Sequence, residues 1–255
     1  MTEKKENIGP EKISFTTFLL KILATGAGGF AGSLILFIIF LFTGSVFPSA
    51  GDEFISPIFV FILLIMIFLA STVSNIISVW LLALTEKGKY KRISSAIYQV
   101  FIVSIIILVL MVPVYLISVN SNIAFTGYVV ALHIIIAAQV SALILEIISN
   151  YRYALLGVYG VSFAVLVSAA ILFSLSGSLE SPQLLLFLAL PVIWVSIAIV
   201  HTLVVIIYGW IARTYDKDFL STQTVYGDDY GKEVETPKES PKAKDESGGD
   251  FLRHN

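Results

Sequence analysis

Three polar side chains stand deep inside long apolar runs: Asn75, Gln139 and His201. A polar group in lipid is costly, so each needs a partner or a task. Counted from the ends of their segments, all three lie about nine to eleven residues in, roughly 13–16 Å at the helical rise. An imidazole and two amides at one depth offer two chemistries. In a dry contact the ring bonds the amides and ties three helices together. In a pocket open to the cytosol the same groups bind a small polar solute or relay a proton. The dry contact is the simpler expectation.

Other polar residues extend this layer. Ser71, Ser74, Asn75 and Ser78 share one helical face, as do Gln139 with Glu146, and Trp194 with His201 and Tyr208, each spaced by seven. Glu146 falls near a membrane boundary, where Arg152 can pair with it and Gln99 is within reach. His133 is nearer the opposite side and faces away from Gln139, which makes it a packed core histidine. His133 and His201 differ in depth by about 10 Å, and no acidic cluster joins them, so no metal site is expected. Cysteine is absent, which removes thiolate ligands, disulfides and cysteine nucleophiles. No cofactor is implied.

The elements that must hold these residues are membrane spans. Of 255 residues, 57% are hydrophobic and only 13% charged, about half the usual charged share of a water-soluble domain. Apolar runs longer than about 18 residues recur, without the period-two alternation of a barrel. The sequence predicts an all-α membrane protein: a six-helix transmembrane bundle with a disordered cytosolic C-terminal tail. The expected spans are 18–43, 57–84, 96–119, 123–148, 154–175 and 184–212, between a polar segment 1–17 and a polar tail 213–255. The first span is too long for a signal-peptide core. Lys21, near its start, is expected to snorkel to the interface.

The loop between the second and third spans holds Lys87, Lys89, Lys91 and Arg92. Short basic loops stay in the cytosol. Six spans with a cytosolic amino terminus then place all 16 Lys and Arg on that side. Trp80, Tyr98, Tyr151, Tyr153 and Trp210 fall at the same boundary, as an interfacial belt does. The expected location is the plasma membrane of a prokaryote, with both termini cytosolic. The four basic residues fit anionic lipid headgroups better than nucleic acid.

With a serine on the fourth span, a histidine on the sixth and an asparagine on the second, this layout resembles the rhomboid intramembrane proteases. The resemblance covers architecture and three residue types: Ser141, His201 and Asn75 would be the corresponding positions, and it would imply peptide hydrolysis in the membrane. Rhomboids hold their serine in Gly-x-Ser-Gly, whereas here the run is Gln139-Val-Ser141-Ala142. They follow the helix-six histidine with glycines, whereas Thr202-Leu-Val-Val follows His201. Their site opens to the outer leaflet, but Ser141 lies in the inner half. No glycine turn supplies oxyanion donors. The expectation is a protein without enzymatic activity.

Small residues at every fourth position allow close helix approach in lipid. Such stripes are Ala24, Gly28 and Gly32; Ala70, Ser74 and Ser78; Ala137 with Ser141; and Gly160, Ala164 and Ser168. They predict that helices one, two, four and five form the centre, with the uniformly aliphatic third helix peripheral. The glycine run at 26–32 lacks the flanking strand and Lys-Ser/Thr ending of a phosphate loop, so it reads as packing. Pro113 and Pro191 are expected to kink their helices. The leading functional expectation is a scaffold or assembly subunit of a membrane complex, with lipid around the bundle and a protein partner on the tail. The alternative is a small-solute or ion transporter with a cytosol-facing polar pocket.

Overall fold

In a hydrocarbon medium every backbone N–H and C=O must be satisfied within the segment, and an isolated apolar run can do that only as a helix. A computed structural model of the chain describes residues 13–43, 56–85, 93–119, 121, 123–148, 154–178 and 182–214. These form six helices: α1 (Phe15–Thr43), α2 (Pro57–Thr85), α3 (Ile93–Ser118), α4 (Ile123–Ile148), α5 (Ala154–Ser178) and α6 (Pro182–Thr214). All six are long and apolar enough to cross a membrane. The chain is therefore a multi-pass, all-helical membrane protein. The basic loop 86–92, Arg152 and the tail beyond 214 lie outside the described residues.

Capping chemistry sets the ends that can be seen. The Thr17 N–H donates to Ser14 Oγ at 3.1 Å, so Ser14 caps α1 and the helix begins three residues before the predicted span. Pro57 occupies the first helical position of α2, where its missing N–H costs nothing. The Val60 N–H donates to Ser56 O at 3.1 Å, closing the first turn. Both α3 and α6 run continuously through Pro113 and Pro191.

Close backbone approach joins α1 to α2 and α6. A Cβ on Gly28 would lie 2.6 Å from Ser78 N, and one on Gly32 would lie 2.6 Å from Ser74 Cβ. A Cβ on Gly29 would lie 2.7 Å from Pro191 N. No L side chain fits at those separations, so the glycine run does pack helices, as expected. It serves two neighbours at once: Gly28 and Gly32 face α2, and Gly29 faces α6. The Ser33 hydroxyl adds a hydrogen bond to the carbonyl of Phe187 on α6.

The ranking of the helices differs from expectation. More than half of the spanning windows of α2 and α6 are buried, and half of that of α4. For α1 and α5 the share is a third. The centre is thus α2, α4 and α6, and α6 replaces α1 and α5. A stripe of small residues marks one close contact face; it does not count how many faces a helix buries. Phe30, Leu34, Phe37 and Leu41 of α1 remain exposed opposite its glycines, as do Tyr159, Phe163 and Leu166 of α5. By contrast, α6 buries Leu190, Ile193, Trp194, Ile197, His201 and Thr202 around much of its circumference. Helix α3 is the least buried, in keeping with its aliphatic surface.

Candidate functional site

Two separate polar groupings occupy the bundle interior, about seven residues apart along α6. The first joins α2 to α6. Trp194 Nε1–H donates to Asn75 Oδ1 at 3.1 Å, and Asn75 Nδ2 donates to Ser71 Oγ at 3.4 Å. Both Asn75 and Trp194 are fully buried. This is a satisfied, dry contact of the kind that fixes helix register in lipid. Its partner is not the expected one: no hydrogen bond links Asn75, Gln139 and His201 to one another. Gln139 is only half-buried. The expected common level is not formed: Asn75 meets Trp194, whereas His201 lies about two turns further along α6.

The second grouping lies two turns further along α6, about 10 Å toward its C-terminal end. His201 Nε2 is 3.5 Å from Glu146 Oε1 of α4. Lys21 of α1 lines the same cavity. That cavity is about 10 Å³, the lower limit for a single water molecule. Lys21 is 1% exposed and Glu146 3%. The expectation that Lys21 snorkels is therefore wrong: six residues into α1, about 9 Å of rise, it is enclosed by other helices. The expected Glu146–Arg152 pair involves a residue outside the described ones, and Gln99 is exposed. Glu146 is buried and its Oε1 faces His201 of α6.

Two glycines of α5 make room for this arrangement. A Cβ on Gly157 would lie 2.7 Å from the Glu146 carboxyl carbon. One on Gly160 would lie 3.0 Å from His201 Cα and 3.1 Å from His201 Cδ2. The stripe logic found Gly160 but missed Gly157, because Gly157 receives a side chain rather than a helix backbone. The missed signal was the combination itself: one Lys, one Glu and one His within apolar spans that all approach the same end of the bundle.

The remaining polar residues have simpler roles. Tyr115 OH and His133 Nδ1 are 3.3 Å apart with the rings edge to face, both buried, so His133 packs between α3 and α4 as expected. The Ser141 hydroxyl donates to the Ala137 carbonyl at 2.7 Å within its own helix. It makes no hydrogen bond to His201, so the nucleophile–base contact of a serine hydrolase is not formed between them. Among the described residues no group of three His, Asp or Glu side chains is placed to hold a metal ion. Lys87, Lys89, Lys91 and Arg92, with their expected lipid contact, fall in the loop outside the described residues. No protein-family model, no curated protein and no solved structure matches this chain.

Proposed function

We propose that the chain is a non-enzymatic scaffold or assembly subunit of a plasma-membrane complex, with both termini cytosolic and the C-terminal tail available to a protein partner. The observation that carries this reading is the close packing around the buried polar groups of the described residues. Asn75 is satisfied by Trp194 and Ser71, and the polar cavity beside His201 measures only about 10 Å³. A solute-binding pocket is commonly about 300–1,000 Å³. Exposed helix surfaces rich in Phe, Leu and Ile suit contact with lipid.

The transporter reading is the second one, and a specific observation favours it. Ionisable side chains enclosed within spanning helices are costly and commonly serve ion or proton movement; Lys21, Glu146 and His201 are such a set. Native-membrane extraction followed by size analysis separates the two readings. A scaffold migrates in an assembly that is lost when the tail is removed before Thr222, while the amount in the membrane stays unchanged. A carrier migrates alone and moves ions or solute when reconstituted into vesicles. Sidedness is tested by single cysteines. Those at Ser49, Ser121 and Ser178 react with an impermeant thiol reagent in intact cells, whereas one at Ser95 does not.

A further inference from the structure

We propose that Lys21, Glu146 and His201 form a one-proton binding site in which the Glu146 carboxylate is shared between the Lys21 ammonium and the His201 imidazole. Three helices meet there: α1 brings Lys21, α4 brings Glu146 and α6 brings His201. The carboxylate and the imidazole are 3.5 Å apart, and the lysine opens onto the same water-sized space. The rest of that lining is aliphatic, including Leu82 of α2, Ala142 of α4, Val161 of α5 and Ile197 of α6. From α5, Gly157 and Gly160 approach Glu146 and His201 and Val161 lines the cavity, and none of them carries a charge. Among the described residues around the cavity, these three are the only ones that titrate.

Charge balance gives the site its chemistry. An ionised carboxylate and an ammonium cancel, so the cluster is neutral while the imidazole is neutral. Buried charges persist when they are paired, and an enclosed Lys or Glu without an opposite charge is strongly disfavoured. One further proton enters at the imidazole nitrogen facing Glu146, and the carboxylate then faces two cations. No bond to carbon forms or breaks; the proton comes from water and returns to it. The cavity holds at most about one water molecule, which suffices to pass a proton and excludes larger solutes. This property goes beyond the scaffold reading and does not depend on it.

The chain has three histidines, His133, His201 and His254, so imidazole nitrogens labelled with nitrogen-15 can be assigned in the full-length protein by replacing His133 and His254 with Gln. In lipid nanodiscs titrated over about pH 5 to pH 8, the His201 nitrogen signals are expected to report the uptake of one proton. The midpoint should differ between wild type and each of E146Q and K21M, which remove the two proposed charged partners. Where a single variant does not accumulate, wild type and H201Q are compared by proton uptake across the same interval. Wild type should take up about one more proton per chain. A His201 that keeps one form throughout, a midpoint identical in all three proteins, or equal uptake by wild type and H201Q overturns the proposal.

Discussion

Two buried histidines in this bundle have different surroundings. His133 on α4 lies edge-on to Tyr115, ring centroids 5.8 Å apart, with one hydroxyl contact at 3.3 Å. His201 on α6 faces a carboxylate, with a lysine beside the same cavity. Both are at least nine-tenths buried. The first needs only a neighbour that can share one hydrogen bond. The second belongs to the proposed set in which Lys21 and Glu146 depend on one another, since removing either leaves the other's charge unpaired in a low-dielectric interior. Burial alone therefore does not give a membrane histidine its role; the side chains brought to it by other helices do.

The contrast can be broken most forcefully at Glu146. E146Q leaves Lys21 enclosed without its proposed counter-charge and should cost about 3–5 kcal/mol, read as lowered thermal stability in detergent. K21M/E146Q should recover most of that loss. Additive losses in the double variant would mean that the two side chains are not partners. A less severe perturbation acts through packing. In G29V the added atoms meet the Pro191 backbone, prising α1 from α6 at a cost of about 1–3 kcal/mol. Because this moves Lys21 away from His201, the nitrogen signals of His201 should change while those of His133 stay fixed. Unchanged His201 signals would show that the α1–α6 seam does not position the cluster.

Smaller effects are expected on the neutral side of the comparison. W194F removes the hydrogen bond from α6 to Asn75 and strands its buried carbonyl, a loss of about 1–2 kcal/mol. Y115F removes the hydroxyl contact of His133 while keeping the ring contact, and should cost about 0.6 kcal/mol, the average for such bonds in a membrane interior. A loss for Y115F as large as that for E146Q would erase the distinction between the two histidines.

The number of spans and their ends to within a few residues were legible in the sequence. Those properties follow from local rules: helical rise, the thickness of hydrocarbon and the need to satisfy backbone groups within a segment. The close contacts of Gly28, Gly29 and Gly32 were also legible, because only glycine permits such approach. Direction around each helix was not. Spans this uniformly apolar carry no strong polar face to orient them, so azimuth is settled by how side-chain volumes interlock with neighbouring helices. Lys21 looked like an interfacial residue because it is near an end, yet α1 turns it inward and other helices close over it. Asn75 and His201 looked like one layer because each lies a similar number of residues from the end of its span, yet Trp194 reaches the first and Glu146 the second, about 10 Å apart along α6. Distance from a span's end is a property of one helix and its sequence, whereas the level at which helices meet and the partners they bring depend on at least two helices, and only their packing decides them.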